Sequence, residues 1–315
     1  MHSDTVVVTG GAGFIGSHLV DALLAEGRRV VVVDDLSSGR AARVPSTADL
    51  EVVDITDASA LDRVIDSARP RAIYHLGAQA SVTASVADPA RDLAVNVGGT
   101  LHVAEAARRH DAPVVFASTG GALYGPDAPR PTSEDFPAVP LSPYGASKLA
   151  GEGYLRTWAS AYGQQHAVLR LGNVYGPRQS PHGEAGVVAI FSHRLLAGET
   201  LTLFGDGAPT RDYVHVVDVV RAFLAATGRP GTYNVGTGVE TATHQLLRHL
   251  QDAAGTSSSP ELAPLRAGEL QRSCLDPSRA RADLGWQPEV GVAEGLASTF
   301  RWFAEETAAA TTSAA

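Results

Sequence analysis

Through the first half of the chain, short unbroken apolar runs alternate with stretches of helical periodicity. Residues 5–9 (TVVVT) and 29–34 (RVVVVD) are β-branched and do not alternate with polar positions, the pattern of strands buried on both faces. Between them, residues 13–27 place Ile15, Leu19, Ala22 and Leu23 on one stripe and end at Gly27, which predicts a helix with its stop. Residues 50–53, 72–76 and 114–118 supply three more strands, the last two each preceded by a helical segment. Repeated strand–helix units with buried strands predict an α/β fold of the Rossmann type, a doubly wound parallel sheet covered on both faces.

Beyond about Leu171 the rhythm changes. Gly- and Pro-rich loops interrupt short strands and helices, as in 172–186, 205–210 and 228–238. We expect a sheet domain over 1–171 and a smaller mixed α/β part over 172–315 that binds substrate and is interleaved with the first. The Ala/Thr-rich tail, 304–315, is expected to fray.

Composition narrows the classes. The 315 residues are 44% hydrophobic and 19% charged, ordinary for a globular protein. A net charge of −9 without a Lys/Arg run argues against nucleic acid as a partner. Cys274 is the only cysteine, so no intramolecular disulfide can form. The start lacks a basic, apolar leader, and no apolar run is long enough for a bilayer; a cytoplasmic protein without a membrane partner is expected. There are 11 histidines but no metal-type spacing, and His75 reads as a satisfied core histidine, so no metal is expected.

The loop TGGAGFIG joins the first strand to the first helix. Gly10 permits the tight turn, Gly13 lets backbone approach a pyrophosphate, and Gly16 allows close helix–strand packing, with Phe14 and Ile15 opening the helix. Asp34, ending the second strand, can accept both ribose hydroxyls of adenosine and would repel a 2′-phosphate, which favours NAD. Asp54 and Ile55 end the third strand, near the adenine. Leu76-Gly77-Ala78-Gln79 follows the fourth strand with small residues, suited to backbone passing close to the cofactor.

Catalytic candidates come next along the chain. Tyr144 and Lys148, in YGASK, share one helix face at a spacing of four. The ammonium, with a positive nicotinamide nearby, would favour the phenolate and make Tyr144 a base near neutrality; Lys148 could also bind the nicotinamide ribose. Ser118 and Thr119 end the fifth strand, where open α/β sheets bind ligands, and one of them can share a proton with a sugar O4 and the Tyr144 oxygen.

Taken together, TGGAGFIG, DDLSSG, the hydroxyl strand, YGASK, RLGNVYGPR and GDGAPTRDY resemble the UDP-glucose 4-epimerase group of the extended short-chain dehydrogenase/reductase family, in order over nearly the whole chain. That resemblance implies 4-epimerisation of a UDP-sugar through a 4-keto intermediate, with NAD retained between turnovers. It gives the role of catalytic hydroxyl to Thr119, of base to Tyr144, of its partner to Lys148, and of cofactor-region support to Asn96. It gives Asn173 the sugar-linked phosphate and Arg211 the diphosphate. Arg266 and Glu269 take the diphosphate and nucleoside ribose, and Val187 and Phe204 the base pocket. It also implies a homodimer through two helices of the sheet domain, one of them carrying Tyr144. Arg178 could reach a phosphate or a sugar carboxylate.

One departure bears on the reaction. Gly120-Gly121 stands where a 4,6-dehydratase of this family has Asp-Glu, and where a UDP-glucuronate decarboxylase has Glu, so elimination chemistry is disfavoured. A protein that merely binds NAD usually loses the Tyr/Lys pair, which is present here. UDP-glucose/UDP-galactose is the expected substrate pair, with UDP-glucuronate or UDP-N-acetylglucosamine as the alternative.

Overall fold

A strand made only of Thr and Val has no face to offer water, and the structure gives it none. The computed structural model describes residues 4–181, 186–265 and 270–313. The strands in chain order are β1 (Thr5–Thr9), β2 (Arg29–Asp34), β3 (Asp49–Val52), β4 (Ala72–His75), β5 (Val114–Thr119), β6 (Ala167–Leu171), β7 (Asn173–Tyr175), β8 (Thr202–Phe204), β9 (Thr210–His215), β10 (Gly231–Val235), β11 (Glu240–Ala242) and β12 (Glu261–Ala263). The helices are α1 (Phe14–Ala25), α2 (Ala58–Ala68), α3 (Val82–Ala87), α4 (Pro89–Leu93), α5 (Gly99–Arg109), α6 (Pro143–Tyr162), α7 (Val187–Leu196), α8 (Val216–Ala226), α9 (Thr243–Ala254), α10 (Ser278–Leu284) and α11 (Val292–Ser313).

Seven strands form one sheet in the order β10-β6-β5-β4-β1-β2-β3. Every pairing in it is parallel. Successive side chains of a strand point to opposite faces. Val6 and Val8 therefore join the core under α1 and α8, and Val7 joins the core under α2, α5 and α6. Each such fully buried apolar side chain contributes about 1.5–3 kcal/mol. The α/β Rossmann architecture expected from the sequence is present, and β10 brings the chain back to the sheet beside β6.

One expectation needs correction. The third strand is not buried: β3 is an open sheet edge, with Val52 61% exposed. The last helix, α11, runs to Ser313.

Chain order along the sheet reverses at β1, which lies between β2 and β4. Ligands of open α/β sheets bind beyond the strand ends at such a switch. Past β6, a three-stranded sheet β11-β9-β7 and the pair β12-β8 pack with α7, α9 and α11 around a third core that includes Phe191, Tyr213, Leu247 and Phe300. No helix among the described residues is long and apolar enough to cross a membrane.

Candidate active site

At the switch point two backbones nearly touch. Gly10 follows β1 with φ +70°, and a Cβ on it would lie 2.7 Å from the Gly77 nitrogen beyond β4. A Cβ on Gly16 would lie 2.1 Å from the Gly10 carbonyl oxygen, so α1 is held against the turn at a distance only glycine allows. Gly13 caps α1 without any side-chain hydrogen bond, which leaves Phe14, Ile15 and their neighbours at an open helix N-terminus facing the crevice.

Asp34 closes β2 and is 7% exposed. Its oxygens accept from the Ala12 and Leu36 amides, each at 2.9 Å, which fixes the carboxylate beside the glycine turn. Burial pushes its pKa up, and these two amides oppose that. The glycine cradle, the uncapped helix end and this carboxylate fit a dinucleotide. Asp54 accepts from the Thr56 amide at 2.8 Å, and buried Ile55 packs on Gly99.

Beyond β4, Leu76, Gly77 and Ala78 run past Thr9, whose hydroxyl accepts from the Gly77 amide at 3.0 Å. The Gln79 side chain points inward, donating to Ser81 O and Asp92 Oδ1, each at 2.9 Å. Asn96 holds the same segment from below: its Oδ1 accepts from the Gln79 amide, its Nδ2 donates to Gln79 O, and it also reaches Ser147 Oγ at 3.1 Å. His75 is a satisfied core histidine, as the sequence suggests. It lies 2.7 Å from Thr9 Oγ1 and 3.0 Å from Thr100 Oγ1, and burial pushes its pKa down to about 3.

The catalytic candidates meet above β5. Ser142 caps α6 through the Gly145 amide at 3.1 Å, with Pro143 in the first turn, so Tyr144 and Lys148 lie on adjoining turns facing the strand end. The Thr119 side chain lies beside the Tyr144 phenol and acts to lower its pKa. Thr119 Oγ1 also accepts from the Ala122 amide at 3.2 Å. Lys148 is 3% exposed, donates to Ala117 O at 3.0 Å and stands 4.8 Å over the Phe116 ring.

Ser118 faces the other way, donating to Glu152 Oε1 at 2.6 Å. Of the two hydroxyls, Thr119 is the one turned to Tyr144. The pKa directions differ from the sequence argument. Burial pushes Tyr144 up to about 12, the Thr119 side chain opposes it, and the Asp92 charge adds to it. Burial pulls Lys148 down to about 8, against the pull of Asp92 and Glu152. The chain alone therefore does not favour the phenolate, because burial outweighs the effect of Thr119.

The model of the NAD dependent epimerase/dehydratase family matches residues 6–236. A curated UDP-glucose 4-epimerase of Mycolicibacterium smegmatis is 51% identical over 305 residues, covering 94% of this chain and 97% of that protein. The crystal structure of UDP-glucose 4-epimerase from Thermotoga maritima, solved with UDP-glucose, is 44% identical with a TM-score of 0.94, covering 96% of this chain and 99% of the other. That of Thermus thermophilus, solved with NAD, is 47% identical with a TM-score of 0.89, covering 95% and 98%.

The chain belongs to the NAD dependent epimerase/dehydratase family. NAD is its cofactor.

Within this family member, the substrate candidates are distributed unevenly. Asn173 opens β7 and turns its amide toward Gly121: a Cβ there would lie 3.3 Å from Asn173 Oδ1. It pairs in register with Tyr213 of β9, two residues beyond Arg211, which lies opposite Thr241 and donates to Thr210 O at 2.9 Å. Half-buried Val187 starts α7 and packs on the third core, and Phe204 ends β8 next to Leu203 of that core. Arg266 and Glu269 lie outside the described residues.

Arg178 pairs with Asp21 on α1 through Nη2 at 2.7 Å, and its buried Nη1 has no hydrogen-bond partner among the described residues.

Gly120 shows why the departure noted in the sequence matters. A Cβ there would lie 2.5 Å from Leu275 Cδ1, so an acid at position 120 would fit only if the buried Leu275 side chain shifted.

Sequence reasoning missed the buried groups behind the site. Glu152 accepts from Arg170 Nε at 3.0 Å and Nη2 at 2.7 Å, and Arg170 Nη1 donates to Tyr124 Oη at 2.7 Å. Glu152 lies four residues beyond Lys148, and Asp92 four before Asn96, so helical spacing was the available signal.

Proposed function

We propose that the protein interconverts UDP-glucose and UDP-galactose as an NAD-dependent 4-epimerase. The observation that carries this reading is the Tyr144 phenol beside Thr119 at the end of β5, with glycines and no acid beyond it. Such a pair suits reversible proton exchange at a sugar hydroxyl and leaves nothing to drive elimination.

When bound, NAD supplies the acceptor and donor of the C4 hydride and a positive ring charge that counters the effect of burial on Tyr144. Tyr144 removes the O4 proton and returns it to the epimer. Thr119, held by the Ala122 amide, keeps O4 within reach of the phenol. Lys148, anchored to Ala117 O, holds the nicotinamide ribose. Asp34 and the Gly10–Gly16 turn hold the adenosine ribose and pyrophosphate. Asn173 and Arg211 hold the substrate diphosphate, Val187 and Phe204 border the base, and the part over 172–315 acts as the nucleotide-sugar-binding portion.

Incubation of the purified protein with UDP-glucose, without added NADH, should yield UDP-galactose. Tyr144→Phe should slow that about 10²–10⁴-fold with the fold intact. Release of water, no epimer, or full activity of the variant would overturn the reading.

We also infer a cytoplasmic homodimer through α5 and α6. The outer row of α6 carries Tyr154, Trp158 and Tyr162, with Tyr154 39% and Tyr162 53% exposed. Sedimentation at the monomer mass would refute this.

A further inference from the structure

Two segments from different halves of the site meet beside α1. One is the chain after β2, residues 36–43, which leaves the Asp34 carboxylate. A Cβ on Gly39 would lie 2.5 Å from Asp34 Oδ1 and 2.9 Å from Ala12 Cβ, so this segment is pressed against the cofactor cradle. The Arg40 amide donates to Ala12 O at 3.0 Å and keeps it there. A single helical turn, Ala41–Arg43, then presents Arg43.

The other segment follows β7 and runs through Gly176, Pro177, Arg178 and Gln179 toward α7, where Val187 borders the proposed base pocket. Arg178 has φ +67°, a left-handed conformation that a residue with a Cβ keeps only when its surroundings impose it. Three contacts impose it here. Arg43 Nη2 donates to Arg178 O at 2.7 Å. The Arg178 guanidinium pairs with Asp21 of α1 at 2.7 Å, and His18 Nε2 of the same helix donates to Pro177 O at 2.9 Å.

Gln179 continues the connection. Its Nε2 donates to Val174 O at 3.1 Å, and a Cβ on Gly186, the residue that caps α7, would lie 2.6 Å from the same Nε2. The start of α7 therefore rests on a loop whose strained residue is held from the cofactor side.

We propose that Arg43 is a positioning residue: through the Arg178 carbonyl it latches the substrate loop to the cofactor segment, so that bound NAD and a bound nucleoside diphosphate hold each other in place. The inference rests on the reading of 172–315 as the nucleotide-sugar-binding part. NAD fixes residues 36–43 through Asp34, and the latch passes that order to the loop. Order imposed on α7 by the nucleotide returns along the same contacts, because such a coupling is reciprocal.

Arg43→Met removes the donor at a half-buried position, where no core packing is lost. In the holoenzyme, saturating UDP should slow exchange of bound NAD for labelled NAD about fivefold or more, but less than about twofold in Arg43→Met. The KM for UDP-glucose should rise about fivefold in that variant with kcat nearly unchanged, since Arg43 supports binding and not the chemical step. Arg43→Lys can still donate to the Arg178 oxygen and should keep most of the slowing. A loss of packing alone would not be rescued by lysine and would not depend on UDP.

Calorimetric binding of UDP with equal slowing of NAD exchange in wild type and Arg43→Met, or with no slowing in either, would overturn the latch and leave the substrate reading standing. Arg43→Lys as impaired as Arg43→Met would overturn the latch as well. No UDP binding to the wild type would overturn both.

Discussion

Glu152→Gln probes the ion pair that braces the catalytic strand end. Glu152 is 2% and Arg170 7% exposed, so water screens neither charge. The guanidinium reaches both carboxylate oxygens, at 3.0 Å from Nε and 2.7 Å from Nη2, and Ser118 adds a third donor at 2.6 Å. Burial alone would push the Arg170 pKa down, yet the bonds and charge of Glu152 outweigh it and hold the pKa above the usual value. Glutamine keeps the volume but turns one acceptor oxygen into an NH₂ group facing guanidinium donors. Arg170 would then keep one amide oxygen, Tyr124 Oη and Glu134 O, all neutral. Removing one partner of a buried pair costs about 3–5 kcal/mol. For a chain of this size, at about 2 °C per kcal/mol, the Tm should fall by about 6–10 °C. Calorimetry with urea unfolding measures it. The double variant Glu152→Leu/Arg170→Met should lose less than the sum of the singles, by about 1–3 kcal/mol. A loss below about 1 kcal/mol for Glu152→Gln, or additive singles, would refute the reasoning.

Three further perturbations follow from the same geometry. Gly16→Ala places a methyl 2.1 Å from the Gly10 oxygen and should weaken NAD binding about tenfold or more in a fluorescence titration; unchanged affinity counts against the cradle. His75 stays neutral when folded, down to about 3, whereas the unfolded chain protonates around 6.5. Between those values the unfolded state binds the extra proton, so falling pH removes up to about 1.4 kcal/mol of stability per unit. His75→Gln should shrink the Tm drop between about pH 7 and about pH 5, and parallel curves would exclude this source. Gly120→Asp meets Leu275 at 2.5 Å and should cost roughly 1–3 kcal/mol, partly restored by Leu275→Ala; a stable variant with dehydratase activity would show that space is not the limit.

How much of this was legible depended on whether a signal was local. The β1–α1–β2 unit could be read because both faces of each strand are buried and the helix keeps one apolar stripe. β3 carries Asp49 and Glu51 between Leu50 and Val52, and its exposure follows from its place at the sheet edge, which strand order decides. Tyr144 and Lys148 were legible from a spacing of four on one helix. The Arg170–Glu152 pair was not, since it exists only because β5 and β6 are neighbours beneath α6. The partner of Arg178 escaped for the same reason: Asp21 is distant in sequence and adjacent only once α1 packs beside the loop after β7.

The acid–base pair shows where a local rule gives the wrong sign. Counting Tyr and Lys on one helix face suggests that the ammonium draws the phenol toward ionisation. In the folded chain the ammonium is held by Ala117 O, and Thr119 lies beside the phenol. Burial and the Asp92 charge then act in the same direction, pushing Tyr144 up to about 12. The chain's own residues thus keep Tyr144 a phenol near neutrality. Whatever makes it a base has to come from outside the chain, as a positive charge placed against the end of β5, and the glycine cradle beside β1 is built to hold a dinucleotide at that position.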